Sequence, residues 1–392
     1  MSHDFDPIQP ETFDSPHALY RRLRSECPVA HSDAWGGFWA LMKHEDVVEA
    51  ASDWRTFITS RQNVVPKVAF TGRRPPLHLD PPEHTPYRRA LAPLLTERKV
   101  ARLEPAVRRI CRSLLDGMVA AGGGDVCGDF SAPMTVEVFA NWMNLEAEAV
   151  ADLTQAGRRY NIAVQSNDIE ATQENSLLLY QMARSVVEDR RRNPLPVDED
   201  AASALLAVRV DGEPLPEELI VGTIRQVLVV GLIAPTVVVG SIAVHLGRDL
   251  ALQDRLRDEP ILIPAAVDEL LRLYTPYRGF ARTAVRDVNI GGRLIPEGEP
   301  IALVYASANR DEAVFEDPDL FRLDRPNMKE SVAFGRGPHT CVGTALGRLE
   351  LIVAIEELLK AAPRFVLAGE VKPTRFPEIG ALEVPIRFEA RR

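Results

Sequence analysis

From Val227 to Gly247 the chain reads VLVVGLIAPTVVVGSIAVHLG, with no Asp, Glu, Lys or Arg. A helix made from this run is apolar on every side, so the rest of the fold must surround it. It is also long enough to cross a bilayer. Pro235, three glycines, Thr236, Ser241 and His245 interrupt it, and it stands alone, without an aromatic belt, in a chain that is 26% charged. Those features favour the central helix of a large soluble protein over a membrane span, and no membrane partner is expected.

With 392 residues, 46% of them apolar, the chain can bury a sizeable core around that helix. The net charge of -10 argues against nucleic acid, whose phosphates call for a basic footprint. Cys27, Cys111, Cys127 and Cys341 are too scattered for a disulfide framework, and none forms a Cys-x-x-Cys pair. The opening MSHDFDPIQPETFDSPHALY has neither a basic start nor an apolar core. No signal peptide is visible there, and the cytoplasm is the expected compartment.

The first two thirds read mainly as helix. In LDPPEHTPYRRAL, Asp80 offers an N-cap, Pro81 a first turn and Glu83 the matching acid of a capping box. Pro105 marks a helix start, and Leu103, Val107, Ile110, Leu114 and Met118 recur at three and four residues, which predicts one buried face. EDRRRNP suits the last turn of a helix, with cations at the negative end of the dipole. Later, RGFARTAVRDVNIGGRLIPEGEPIALVYAS alternates β-branched residues with Gly-Gly and Pro-x-Gly turns, which predicts strands and hairpins. The pattern predicts one domain over residues 1–392, mainly α with a smaller β-rich part near 28–60, 276–306 and 364–390.

VAFGRGPHTCVG, Val332 to Gly343, places Cys341 just before the amphipathic TALGRLELIVAIEELLKAA. A helix start stabilises a thiolate through free N–H groups and the dipole. Gly335, Gly337 and Gly343 remove side chains, so a flat group can approach the backbone. The set suits haem iron, for which a cysteine thiolate is a recognised ligand; a buried, inert cysteine in a glycine turn is the alternative. Glu269 and Arg272, three apart in DELLR, share one helical face, and Arg325 in FRLDRPN is placed to complete a buried triad. His84 and Arg88, four apart, share a face suited to a carboxylate.

In these motifs the chain resembles the cytochrome P450 family, in particular its soluble bacterial members. FGRGPHTCVG matches the FGxGxHxCxG signature at every fixed position, ELLR matches ExxR, and FRLDRP matches the Arg-bearing segment that follows. DPPEHTPYRR is similar to the helix before the haem and ANRDEAVFEDPDLF to the intervening stretch, in the same order over nearly the whole chain. The resemblance implies the P450 fold and one haem b (iron protoporphyrin IX) with Cys341 as its axial ligand. Phe334 and Gly343 would be haem contacts, and His84, Arg88, Arg282 and His339 would hold the propionates. Glu269, Arg272 and Arg325 would brace the cysteine loop. It further implies a monomeric enzyme that inserts one oxygen atom from O2 into a small molecule. Electrons would come from NAD(P)H through a separate ferredoxin reductase and a ferredoxin, which would dock near Arg336 and Arg348.

One segment departs from the pattern. The family carries an acid–alcohol pair on its central helix that supplies protons for O–O cleavage. Counted back from Glu269 without a gap, the pair falls on Ile233 and Ala234. A slip of two residues, which Pro235 permits, sets Thr236 there instead as the candidate proton relay. A monooxygenase with a substitute relay is the implied activity. A peroxide-driven, phenol-coupling or nitric-oxide-using enzyme is the alternative, and a non-catalytic haem sensor a remote one. By resemblance, Val230, Ile233, Ala234, Phe280 and Ile379 would line the pocket, beneath a lid formed by residues 60–77 and 160–167. They suit an apolar or aromatic substrate, with Asn161, Gln165 and Asn167 as polar lid contacts. Arg278 would bind a substrate carboxylate or make a structural ion pair.

Overall fold

The computed structural model describes residues 4–14, 16–67, 71–166 and 168–389. The uncharged run is the middle of a helix, Glu217–Arg248, and 82% of its most apolar stretch is buried inside the protein. Helices Ala132–Trp142, Ala147–Gln165, Ile169–Arg192 and Thr344–Ala361 pack around it, with the strand Ala381–Glu383. Val221, Ile224, Val239, Ile242 and Leu246 have no more than trace exposure on its several faces. An all-round apolar helix is therefore satisfied by protein on every side.

The helix Glu104–Ala121 begins with Pro105 in its first turn and ends at Gly122, whose φ of 75° closes the last turn in the left-handed region. Its buried stripe is Val107, Cys111, Leu115 and Met118, so Ile110 and Leu114 sit at the edge of the face that the spacing predicts. It packs on Thr344–Ala361, where Glu357 accepts from Arg108 (2.7 Å) and Arg112 (2.8 Å). Burial alone would raise the Glu357 carboxyl, but its hydrogen bonds from Arg112 and Arg108 bring it down to about 2. A depressed pKa stabilises the fold above the unfolded value of 4.5, and that contribution is lost as pH falls through about 2. Glu357→Gln is expected to lower neutral-pH stability by about 1–2 kcal/mol, the scale of hydrogen bonds to a charged group. The gap to wild type should shrink in urea titrations run at progressively lower pH.

Strands Val29–Ser32, Phe38–Leu41, Pro300–Leu303, Phe280–Ala284 and Phe57–Ile58 form one sheet in that order, antiparallel except where Phe38–Leu41 meets Pro300–Leu303. A second sheet joins Arg364–Leu367, Pro385–Glu389 and Gly123–Asp125, and a small hairpin joins Arg209–Val210 to Glu213–Pro214. The strands at 123–125 and 209–214 lie outside the three β-rich regions that the sequence predicts. Both are short polar pieces, Gly-Gly-Asp and the arms of a tight Asp-Gly turn, with no alternating apolar pattern to announce them.

Asp80 is not a helix cap. The helix runs Thr85–Leu91, and the Asp80 carboxylate accepts the backbone N–H groups of Thr59 (2.8 Å) and Ser60 (3.1 Å) instead. The segment before the helix is thereby tied to the strand Phe57–Ile58.

Candidate active site

A cavity lies between the central helix Glu217–Arg248 and the cysteine loop. Gly231, Ala234, Pro235 and Val238 face it from the helix; Phe334, Cys341 and Gly343 face it from the loop. Phe139, Trp142 and Phe280 add apolar wall.

The loop holds its sulfur by backbone geometry. Cys341 N–H donates to Phe334 O at 2.8 Å, and Gly343 follows just before the helix Thr344–Ala361. The side chain of Cys341 opens into the cavity while the protein encloses it from outside solvent. Burial pushes its thiol up, and the Gly343 N–H and the Arg88 charge pull it back toward the thiolate. Gly335 and Gly337 turn the chain at φ of 73° and 71°. At Gly337 a Cβ would stand 2.5 Å from Ala51 O, so that glycine seats the loop on the helix His44–Ser52 and does not clear space for a ligand.

Two cations face the cavity without a counter-charge. Arg88 projects from Thr85–Leu91 and Arg282 from Phe280–Ala284. Neither makes an ion pair among the described residues, and burial lowers the pKa of both guanidiniums, at Arg282 against the pull of Tyr305 and the more distant Asp80. His339 also lines the cavity and is pushed down to about 2 by burial and the neighbouring Arg282, so it stays neutral. His84 lies one layer back. Its Nε2–H donates to Pro338 O at 3.2 Å and its ring centre is 5.0 Å from that of His339.

Glu269 receives two guanidiniums. Arg272 reaches it by Nε and Nη2, both at 2.7 Å, and Arg325 by Nε at 2.8 Å, with all three side chains almost wholly buried. Arg272 also donates to Asn309 O and Pro318 O, and Asn309 Oδ1 accepts the N–H of Val332, where the cysteine loop begins. The triad thus ties the helix Ile263–Leu273 to the base of that loop.

A family model for cytochrome P450 matches residues 241–385. Cytochrome P450 130 of Mycobacterium tuberculosis is 32% identical over 391 residues, covering 94% of this chain and 93% of its own. The chain belongs to the cytochrome P450 family. Linalool 8-monooxygenase of Pseudomonas putida is 30% identical, covering 92% of each chain. The solved structure of cytochrome P450 CYP109Q5 from Chondromyces apiculatus shares the fold at a TM-score of 0.88, with 29% identity over the full length of both chains. The protein is a P450 monooxygenase, and haem is its cofactor.

The residues present in this P450 fit that group. A thiol opens into one side of the cavity, and Arg88 and Arg282 stand on its wall as cations without acid partners, which propionates would complete. On the central helix the ungapped register is the one observed, with Gly231 and Ala234 on the cavity wall. Thr236 is not on that wall: two residues beyond Ala234 turns about 200° around the helix. Its hydroxyl donates to Leu232 O at 2.8 Å and its carbonyl accepts from Ser131. Pro235 faces the cavity without slipping the register, and its missing N–H leaves the Gly231 carbonyl short of its helical donor.

Of the other pocket candidates, Ala234 and Phe280 line the cavity, while Ile233 and Ile379 are buried away from it, Ile379 in the core around Phe38 and Phe376. Arg278 is turned away as well. It donates to Glu378 O (2.8 Å) and Thr12 O (2.6 Å), so backbone carbonyls, and no carboxylate, hold it. The Val230 side chain and Asn167 lie outside the described residues, as do Val68–Phe70 of the lid segment. Gly231 is needed where it stands: a Cβ would lie 1.9 Å from the Phe139 ring. Gly231→Ala is expected to cost about 1–3 kcal/mol of overpacking and to drive that ring into the cavity, weakening bulky ligands in spin-state titrations.

One feature escaped the sequence, and one residue expected in the lid does something else. Glu350, on the helix that follows Cys341, lines the cavity with both carboxyl oxygens unpartnered, and burial raises its pKa well above the ordinary value. The signal was a single acid on the apolar side of that helix, next to Leu351. Gln165, at the end of Ala147–Gln165, clasps the tail: its Nε2 donates to Glu378 (2.8 Å) and its Oε1 accepts from Arg375 N (2.6 Å). Burial pushes the Glu378 carboxyl up to about 7. A raised pKa stabilises the fold fully below the unfolded 4.5, and that part is lost as pH rises through about 7. Relative to Glu378→Gln, wild-type unfolding temperature is expected to decline across that window and run parallel above it.

Proposed function

We propose that this monooxygenase inserts one oxygen atom from O2 into a small, largely apolar organic molecule, using one haem b held by Cys341. The observation that carries this is the Cys341 sulfur opening into a mostly apolar cavity beneath the central helix, with the unpaired Arg88 and Arg282 on its wall. Bound there, haem–thiolate iron supplies the oxygen chemistry. Arg88 and Arg282 bind its carboxylates, neutral His339 donates an N–H, and Phe334 and the Gly343 N–H set the environment of the sulfur. Glu269, Arg272 and Arg325 hold the loop in place.

The acid–alcohol pair is missing, and Glu350, whose carboxyl burial raises well above its ordinary value, is the one carboxyl among the described residues lining the cavity, on the side of the cysteine. Electrons reach the site from NAD(P)H through a ferredoxin reductase and a ferredoxin, in a cytoplasmic, monomeric, single-domain enzyme. On the docking face Arg348 is paired with Asp268 at 2.7 and 2.8 Å, and Arg336 donates to Lys329 O and lies 3.8 Å from Glu330, the looser of the two ion pairs.

The second reading is a peroxide-driven, phenol-coupling or nitric-oxide-using P450. Ile233 and Ala234 favour it, because neither offers a proton where the family has its pair. Turnover of one substrate with peroxide alone, against reductant plus ferredoxin and O2, separates the two. Product formed only with O2 and the electron chain supports the first reading, and product formed equally well with peroxide alone supports the second.

A further inference from the structure

Two arginines lie buried beside residues of the cavity wall with no carboxylate to answer them. Arg225, on the central helix, is fully buried, and Arg74 is 8% exposed in the loop that continues into the cavity wall at Pro75–Leu77. Neither makes an ion pair among the described residues. Burial first, and then the charge of Arg225, pulls the Arg74 guanidinium below its usual value. Arg225 gives one N–H to Ser176 Oγ at 2.8 Å, but its Nε and Nη1 have no acceptor, nor has Arg74 Nε. The rings of Tyr160 and Tyr180 flank the Arg225 guanidinium at 4.9 and 5.8 Å. The Tyr160 hydroxyl accepts from both arginines; burial alone would raise its phenol, but their charges and hydrogen bonds bring it below its ordinary value, so a phenol and no carboxylate stands at the pair.

The pair is fixed to the cavity by its neighbours. Gln226 and Val227 follow Arg225 onto the wall, and Pro75 follows Arg74. At Gly222 a Cβ would stand 2.0 Å from Arg73 O, so the loop is pressed against the central helix there. A buried, unpaired guanidinium is among the most costly groups a fold can carry, and two side by side also repel. An anion from outside resolves both costs.

We propose that the substrate is an organic acid whose carboxylate seats between Arg74 and Arg225, with its hydrocarbon part lying along the central helix toward Cys341. A planar, singly charged head matches guanidinium donors, and the cavity wall beyond them is mostly apolar. This deepens the proposed function and rests on it for the cavity being the substrate site. It also moves carboxylate recognition from Arg278, which the backbone has already claimed, to a different pair.

The test compares fatty acids and aromatic monocarboxylic acids with their methyl esters, using the haem-loaded full chain. Spin-state titration reads affinity, and thermal unfolding reads binding without reference to the haem. At least one acid is expected to bind about tenfold or more tightly than its ester, as one charge-assisted hydrogen bond supplies, and to raise the unfolding midpoint. In Arg225→Met the preference should fall below about twofold, while the ligand-free midpoint holds or rises, because an unpaired buried charge has gone. Arg74→Met gives the same readout should Arg225→Met not fold. Acid and ester binding alike in every pair overturns the proposal, as does a variant that loses stability yet keeps the preference. Failure of the wild type to show a thiolate-ligated carbon-monoxide spectrum would instead count against the proposed function, and the thermal comparison would still decide the anion site.

Discussion

Glu269→Ala is expected to leave the protein barely folded. Three hydrogen bonds from two buried guanidiniums end on that carboxylate, and a fourth comes from the N–H of Arg322 at 3.2 Å. Removing it strands Arg272 and Arg325, both almost without exposure, in the interior. Breaking a buried charge set in this way costs about 3–5 kcal/mol, against a total stability of about 5–15 kcal/mol for a typical protein. The denaturant midpoint should collapse, and haem retention should fall with it because the triad ties down the cysteine loop through Asn309 and Val332. By contrast, removing the exposed Arg184–Glu218 pair should change stability by about 0.5 kcal/mol or less. Equal effects from the two substitutions would refute a bracing role for the triad.

Cys341→Ser should do the reverse, abolishing function while sparing the fold. The Cys341 side chain opens into the cavity, and what fixes the loop is its backbone N–H to Phe334 O. An unfolding midpoint within about 1 kcal/mol of wild type is expected, as for other replacements away from the packed core. The reduced, carbon-monoxide-bound protein should lose the red-shifted band of a thiolate ligand, and product formation should fall to background. A serine variant that kept the red-shifted band would mean another residue holds the metal.

Motif residues were legible in the sequence where chemistry and spacing coincide. Cys341 stands out because a thiol, glycines and a helix start share one short stretch, and Glu269 with Arg272 because a spacing of three on a helix leaves little choice of partner. The uncharged run was legible as a core helix for the same reason: its composition admits few environments. Which side of that helix meets the cavity was not. Thr236 and Ala234 are two residues apart, an apolar helix has no polar face to set its rotation, and Pro235 made a register slip conceivable. Close packing of Arg73 on Gly222, Phe139 on Gly231 and Cys127 on Gly240 fixes the rotation. Arg225 and Arg74 were invisible for another reason. Each looks like an ordinary charged residue in its local sequence, and their meaning comes from lacking a partner in three dimensions. Glu350 hid the same way, as one acid among several on a helix.

The central helix carries both Arg225 and Ala234, from residue 225 to residue 234 on one continuous rod. At about 1.5 Å of rise and about 100° of turn per residue, the two are about 13 Å apart along the axis and on opposite sides of it, so an acid seated at Arg225 passes over the helix to reach Ala234. A molecule held by its acid end is therefore measured from that end. The carbon oxidised is set by its count from the carboxylate, and lengthening the tail adds atoms beyond the reactive position without moving it. Homologous acids should then give products hydroxylated at the same distance from the head, a regioselectivity written into the length of a helix.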